Sequence, residues 1–188
     1  MQEVIEFAVD LLDFLQKRGI NRHGGRCQSA IAPGGTGSLA AATAGFYRRR
    51  FGADQPVIAV IEPSAAACLM ESAKIGDGLP HSVSEEQPTI MTGLERRQPN
   101  PAAWNVLWDC ADAFVACPDY VAAKGMRVYA VPLKGDPFII SGESGAVTLG
   151  ALMFTADYAE FHELKEYIGL GPDSQVLLIN SEGNTDPE

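Results

Sequence analysis

The chain has 188 residues, of which 46% are hydrophobic and 20% charged, and its formal net charge is -10 at pH 7. This size predicts one large globular domain over residues 1–188, or a domain and a piece of another, and the negative charge argues against nucleic acids and anionic membranes as partners. No apolar run approaches the ~20 residues of a membrane span, and the acidic segment 1–18 lacks the basic start of a signal peptide, so we expect a cytoplasmic protein.

Predicted helices and strands alternate along the chain. Apolar periodicity, together with Gly and Pro punctuation, predicts helices at 3–17, 38–51, 65–74, 88–95, 102–111, 119–124, 146–158 and 160–168. It predicts strands at 28–32, 56–62, 113–117, 138–140 and 175–180. The run 56–62 is continuously apolar, as is typical of a strand buried on both faces of a parallel sheet. The alternation therefore predicts an α/β fold with a mainly parallel, open sheet flanked by helices.

A glycine-rich turn joins the first predicted strand to the helix 38–51. It holds three glycines within four positions, namely Gly34, Gly35 and Gly37. Glycine lacks Cβ, so its backbone adopts strained turns and approaches a ligand closely. The N–H groups at 36–40 are the first donors of a helix and carry part of the positive end of its dipole. This pattern favours a phosphate-binding loop, in which Ser38 either caps the helix or donates to the anion, over an ordinary strand-to-helix turn.

The same turn also matches a dinucleotide-binding pattern. Gly35, Gly37 and Ala40 fit G-x-G-x-x-G/A, and Glu62 ends the next strand, where a ribose-binding acid would lie. An NAD-type Rossmann domain is therefore the alternative. Against it, the gap from the glycines to Glu62 is longer than usual, and a long predicted helix precedes the first strand. A Walker A loop is excluded, because no G-K-[ST] follows the glycines.

A second glycine–serine turn follows the predicted strand 138–140. Its residues are Ser141, Gly142, Glu143, Ser144 and Gly145. Ligands of open α/β sheets bind at the carboxyl ends of the strands, so the two turns would line one crevice. The alternative is a capped helix start, with Ser141 or Ser144 as the N-cap and Glu143 in the first turn. Composition does not decide between the two.

The cysteines and histidines indicate neither disulfides nor zinc. Cys27, Cys68, Cys110 and Cys117 form no C-x-x-C pair, and the three histidines do not cluster near them. We therefore expect free, buried thiols in a reducing compartment and assign no metal.

Six motifs in chain order resemble the diaminopropionate ammonia-lyases, which belong to the fold-type II (tryptophan-synthase-β-like) group of pyridoxal-phosphate enzymes. The motifs lie at 34–38, 60–69, 76–78, 89–94, 125–127 and 141–146. Together they cover nearly the whole chain, and the last of them is specific. The resemblance implies that the chain is the cofactor-binding large-domain portion of such an enzyme, incomplete at both ends.

The resemblance also implies roles for individual residues. It places the phosphate of pyridoxal 5′-phosphate on the first turn, that is on Gly34, Gly35, Thr36, Gly37 and Ser38. It places Ser141 opposite the pyridine nitrogen, where a neutral hydroxyl suits elimination because it leaves the ring less electron-withdrawing than a carboxylate would. Thr36 departs from the family, in which this position is usually apolar. Some relatives bind a divalent metal beside the position of Glu62, but the second acid expected within 65–68 is absent.

The activity implied is α,β-elimination of a small amino acid, 2,3-diaminopropionate, to pyruvate and ammonia. In this family the lysine that binds the cofactor covalently lies ahead of the helix predicted at 3–17, together with the acids that handle substrate protons. The lysines of this chain do not stand in a matching context; they are Lys17, Lys74, Lys124, Lys134 and Lys165. We therefore leave the catalytic residues unassigned and expect a homodimer, or pairing with a chain that supplies the missing segment. A catalytically inactive or regulatory remnant is a further alternative.

Overall fold

The computed structural model describes residues 28–84 and 87–184, and the helix predicted at 3–17 lies outside these ranges. The described residues form a sheet of four parallel strands in the order β3-β2-β1-β4. The strands are β1 (Ser29–Pro33), β2 (Val57–Pro63), β3 (Ala113–Cys117) and β4 (Val176–Leu178). All residues of β1, β2 and β3 are buried, whereas β4 is a partly exposed edge strand. The predicted α/β class with a parallel sheet is confirmed.

Helices cover both faces of the sheet. They are α1 (Ser38–Phe51), α2 (Cys68–Ile75), α3 (Pro101–Cys110), α4 (Asp119–Ala130), α5 (Glu143–Asp157) and α6 (His162–Tyr167). Residues of α1, α2 and α3 share one core cluster with Ala30 and Ala32, and residues of α4, α5 and α6 share the other with Ile31. Successive residues of a strand point to opposite faces, so these two cores lie on opposite sides of the sheet.

Two predicted elements are wrong. Residues 138–140 are not a strand: they join no ladder, and Phe138 and Ile140 are 61% and 52% exposed. Residues 88–95 form turns rather than a helix, because the carboxylate of Asp119 accepts hydrogen bonds from the Thr89 hydroxyl and the Ile90 N–H. The helix predicted at 119–124 is correct but continues to Ala130.

The longer α4 packs closely on α5 through two glycines. A Cβ on Gly125 would overlap the carbonyl oxygen of Ala146, and a Cβ on Gly150 would overlap that of Val121. Backbone therefore lies against backbone at this crossing, which only residues without a side chain permit. Since α5 begins at the second glycine–serine turn, this contact also fixes the position of that turn.

Candidate functional site

The first glycine turn lies at the carboxyl end of β1. Its Gly34 N–H donates to the carbonyl of Ile61 at 2.7 Å, and its Gly37 N–H donates to the carbonyl of Gly34 at 2.8 Å. Gly35 and Gly37 have φ of 55° and 91°, in the left-handed region that favours glycine. The turn is thus anchored to β2 and folded back on itself directly before α1.

Helix α1 begins without a side-chain cap. Its N-cap is Gly37, and the first helical bond runs from the Ala41 N–H to the Gly37 carbonyl at 2.8 Å. The N–H groups of residues 38–40 precede that bond, and the dipole of α1 adds positive potential there. Ser38 is exposed, and its hydroxyl lies 3.2 Å from the hydroxyl of Thr36. Of the two roles considered for Ser38, capping is not adopted.

Two of the glycines are also required by packing behind the turn. A Cβ on Gly34 would lie 2.5 Å from Cγ of Glu62. A Cβ on Gly37 would lie 3.0 Å from Leu107 Cδ1 and would enter the core between α2 and α3. A side chain at position 37 would therefore disturb the core rather than fill the space in front of the turn. At these two positions glycine alone does not indicate an anion site.

Glu62 is buried behind the turn and serves as a cap for α2. Its carboxylate accepts the Leu69 N–H at 3.0 Å and the Met70 N–H at 2.8 Å, and the Cys68 thiol lies 3.8 Å from it. Burial raises the pKa of Glu62 from 4.5 to about 8, although the two N–H groups oppose this shift. Both carboxylate oxygens of Glu62 accept N–H groups of α2, so Glu62 does not face a ribose. The Rossmann alternative therefore lacks the acidic residue that would bind the ribose hydroxyls.

The buried Glu62 predicts a specific dependence of stability on pH. A carboxyl group whose pKa is raised in the folded chain binds its proton more tightly there, so the free energy of unfolding falls as pH rises from about 4.5 to about 8. The expected decrease is on the order of a few kcal/mol. Burial raises the pKa of Cys68 to about 12, so its thiol stays neutral in this window.

Denaturant unfolding of the wild type and of Glu62→Gln at pH 5 and pH 8 measures this contribution. We expect the stability of the wild type relative to Glu62→Gln to be greater at pH 5 than at pH 8, since the amide does not titrate. An equal difference at both pH values would show that Glu62 is ionised throughout.

The second glycine–serine turn lies beside the carboxyl end of β4. The hydroxyl of Ser141 lies 2.9 Å from the Gly142 carbonyl, 3.0 Å from Asn180 Oδ1 and 3.3 Å from the Glu182 carbonyl. Asn180 and Glu182 lie in the segment that follows β4 (Val176–Leu178), which pairs with β1. The first turn therefore lies at the carboxyl end of β1 and the second beside the carboxyl end of β4, and no strand 138–140 leads into the second.

Helix α5 is capped by a residue that the sequence did not indicate. Its N-cap is Gly142, and neither Ser141 nor Ser144 makes a side-chain cap bond. Instead, the carboxylate of Glu182 accepts the Ser144 N–H at 2.7 Å, and the Gly142 N–H donates to the Glu182 carbonyl at 3.2 Å. Residues 38 positions apart form this cap, so no local pattern predicts it.

Gly93 lies between the two turns. A Cβ on Gly93 would lie 2.8 Å from Ser144 Oγ and 3.2 Å from Glu182 Oε1, whereas a Cβ on Gly35 would lie 3.8 Å from the Gly93 carbonyl oxygen. The backbone of Gly93 thus separates the first turn from the start of α5. The hydroxyl of Ser144 is buried and has no hydrogen-bond partner in the described part of the chain.

The described cysteines are not disulfide-bonded. Cys68, Cys110 and Cys117 are free and buried, as predicted, while Cys27 lies outside the described residues. Lys165 donates to the carbonyl of Ala156, at the opposite end of α5 from the second turn.

Within residues 28–84 and 87–184, every helix falls short of the length and apolarity that crossing a bilayer requires.

Comparisons with known proteins identify similar sequences. A family model described as "Pyridoxal-phosphate dependent enzyme" matches residues 17–182. Diaminopropionate ammonia-lyase of Salmonella typhimurium is 38% identical over 159 residues, which are 84% of this chain and 39% of that enzyme. The enzyme of Escherichia coli K12 is 40% identical over 152 residues, 81% of this chain and 38% of its own length. The chain thus spans about two fifths of the curated relatives it matches.

Solved structures give the same result for the fold. The crystal structure of Escherichia coli diaminopropionate ammonia-lyase in complex with an aminoacrylate-PLP azomethine reaction intermediate aligns with a TM-score of 0.74 and 34% identity, over 93% of this chain and 42% of that chain. Threonine deaminase isoform 2 from Solanum lycopersicum aligns with a TM-score of 0.67 and 18% identity, over 85% of this chain and 41% of that one, a likeness of fold alone. The predicted fold-type II architecture is confirmed.

Proposed function

Because the chain belongs to the pyridoxal-phosphate dependent enzyme family, we propose that it forms the cofactor-binding large-domain part, over residues 1–188, of an ammonia-lyase that acts on 2,3-diaminopropionate. The substrate is assigned from the relatives, since the chain spans 39% of the Salmonella enzyme. The observation that carries the proposal is the start of α1, where backbone N–H groups precede the first helical bond at the carboxyl end of a parallel strand. Such a site takes a phosphate without a basic side chain.

The residues of the first turn fit the phosphate arm of pyridoxal phosphate. Gly35 and Gly37 adopt left-handed conformations that turn the chain into α1, and Thr36 and Ser38 bring two hydroxyl groups beside its first N–H groups. These groups are donors, which an anion with several acceptor oxygens requires. We therefore assign Gly34, Gly35, Thr36, Gly37 and Ser38 to the phosphate, with Gly34 supporting the turn from behind.

On the ring side, we assign Ser141 to the pyridine nitrogen. When bound, the cofactor supplies an electron-withdrawing ring that eases loss of the substrate's α-proton. Ser141 has one hydroxyl hydrogen and three protein oxygens within 3.3 Å, so donation to the nitrogen requires the hydroxyl to rotate away from them. The orphaned hydroxyl of Ser144 in the same turn also fits a polar ligand, because a buried hydroxyl without a partner is costly.

The lysine that binds the cofactor covalently is proposed to lie outside these 188 residues. The chain's lysines do not match the family's context, and Lys165 is bound to Ala156 far from the second turn. We propose that the chain acts in the cytoplasm as a homodimer or with a polypeptide that carries the lysine.

Titration of the chain with pyridoxal phosphate, pyridoxine 5′-phosphate and NAD tests the proposal. We expect saturable binding of both phosphates, measured by calorimetry, and competition between them and inorganic phosphate, because all three use the start of α1. We expect no saturable binding of NAD, since Glu62 faces α2. Borohydride reduction and peptide mapping should find no cofactor on a lysine of this chain. Micromolar affinity for NAD without affinity for pyridoxal phosphate would overturn the assignment.

A further inference from the structure

The hydroxyl of Ser144, at the start of α5, is a buried polar group without a hydrogen-bond partner among the described residues. Ser144 is 3% exposed, and its Oγ has no hydrogen-bond partner within the described residues. Folded proteins pair nearly all buried polar atoms, because an unpaired hydroxyl loses its bonds to water and gains nothing. An orphan hydroxyl beside a predicted ligand crevice therefore points to a partner other than the residues that the structure describes.

The surroundings of Ser144 hold its backbone firmly. Its N–H donates to Glu182 Oε2 at 2.7 Å, at the positive end of the α5 dipole, where a carboxylate is favoured. The Glu182 side chain fills the space that a Cβ on Gly142 would need, since its Oε2 lies 2.5 Å from that position. Glu182 thus fixes the first turn of α5, and with it the location of Ser144 Oγ.

We propose that Ser144 binds the ring part of the cofactor, donating a hydrogen bond from Oγ to a polar ring atom, and that Glu182 is the residue that positions it. This inference rests on the proposed function, which places the phosphate arm on the first turn. A Cβ on Gly35 would lie 3.8 Å from the Gly93 carbonyl oxygen, and a Cβ on Gly93 would lie 2.8 Å from Ser144 Oγ. Gly93 is thus close to both the first turn and Ser144, and this proximity is the reason for placing the ring of a phosphate-bound cofactor on the side of Ser144.

The covering of Ser144 is compatible with this role. Gly93 lies close to Oγ, and it belongs to a turn at 92–94 rather than to a helix or strand. Because Ser144 is only 3% exposed, contact between its hydroxyl and a ligand requires this turn to move away from Oγ. A side chain at position 93 would instead occupy the space in front of Ser144 Oγ, 2.8 Å from it.

Three ligands separate the ring contact from the phosphate contact. Pyridoxine 5′-phosphate carries the polar ring atoms, benzyl phosphate has a ring without them, and inorganic phosphate has no ring. Calorimetric titration of wild type and Ser144→Ala should show about tenfold weaker binding of pyridoxine 5′-phosphate by the variant, the loss typical of one hydrogen bond. Binding of benzyl phosphate and inorganic phosphate should be unchanged.

Variants of Glu182 test the positioning role. Glu182→Gln keeps an amide oxygen that accepts the Ser144 N–H, so we expect near wild-type affinity for pyridoxine 5′-phosphate. Glu182→Ala removes the acceptor and should reproduce the selective loss seen with Ser144→Ala. Equal affinity of Glu182→Ala and wild type for pyridoxine 5′-phosphate would overturn the role of Glu182.

The outcomes distinguish this inference from the proposed function. A wild type that binds none of the three phosphates overturns both. A wild type that binds them, with Ser144→Ala binding pyridoxine 5′-phosphate equally well, overturns the ring contact alone. A parallel loss for all three ligands in Ser144→Ala also overturns it, because a merely structural role would weaken every ligand alike.

Discussion

Replacing Ser38 with aspartate is expected to weaken binding of pyridoxal phosphate by on the order of 100-fold, while the free chain stays folded and becomes slightly more stable. Binding is weakened because the new carboxylate at position 38 repels the phosphate of the cofactor. Two unit charges about 6 Å apart repel each other by ~3 kcal/mol at an effective dielectric constant of about 20, and the exposure of position 38 to solvent reduces this repulsion. A net cost of about 2–3 kcal/mol corresponds to the stated change in Kd.

In the absence of a ligand, the same substitution is expected to stabilise the folded chain. Ser38 is the first residue of α1, and an aspartate there faces the positive end of the helix dipole, which stabilises a helix by ~0.3–1 kcal/mol. Ser38→Asn is the matched control, because it has the size of aspartate without its charge. We expect the asparagine variant to bind within about tenfold of the wild type, as befits the loss of one hydroxyl.

The prediction is tested by measuring the Kd for pyridoxal phosphate by calorimetry, and the melting temperature, for the wild type, Ser38→Asp and Ser38→Asn. Higher melting temperature with weaker binding in Ser38→Asp would locate the phosphate at the start of α1. If the aspartate variant binds pyridoxal phosphate as tightly as the asparagine variant does, the phosphate does not lie there.

Local sequence patterns predicted the elements that are stabilised locally or buried on both faces. The helix 38–51 has its predicted bounds, because a glycine turn begins it and Gly52 ends it. The strand 113–117 also has its predicted bounds, because a short, continuously apolar run is typical of a strand that is buried on both faces of a parallel sheet. The first turn was found because its glycines require left-handed backbone, which is a property of single residues.

Contacts between distant residues explain the failures. Residues 88–95 read as a helix, but Asp119 holds Thr89 and Ile90 in a turn. Residues 138–140 are apolar enough for a strand, yet a run of three apolar residues does not reveal whether a neighbouring strand exists to pair with it. Glu182 was missed for the same reason, because its partner in α5 lies 38 positions earlier.

Gly125 shows how such a contact alters an element. A glycine inside a helix costs ~1 kcal/mol relative to alanine, so the sequence suggested that the helix starting at Asp119 ends before position 125. The helix continues to Ala130 because Gly125 allows the backbone of α4 to lie against Ala146 and Gly150 of α5. The tertiary contact therefore outweighs the local preference.

The prediction that follows is that Gly125→Ala destabilises the chain despite its better helix propensity. The added methyl group would overlap the Ala146 carbonyl oxygen and lie 2.9 Å from the Gly150 nitrogen, so the two helices must separate. Overpacking against backbone costs ~1–3 kcal/mol or more, and we place this site at the top of that range because neither neighbour is a flexible side chain. After the gain in propensity, we expect a net loss of about 2 kcal/mol and a Tm lower by roughly 4–8 °C.

Gly171→Ala is the matched control, because a Cβ at position 171 meets nothing within 4 Å. We expect its Tm to equal or slightly exceed that of the wild type, since alanine restricts the unfolded chain. Gly150→Ala should resemble Gly125→Ala, because its methyl would overlap the Val121 carbonyl oxygen at the same crossing. The double variant should lose less than the sum of the single losses, since helices that are already separated accommodate the second methyl group. Full additivity in this cycle, or a Gly125→Ala protein as stable as Gly171→Ala, would show that α4 and α5 do not meet through these two glycines.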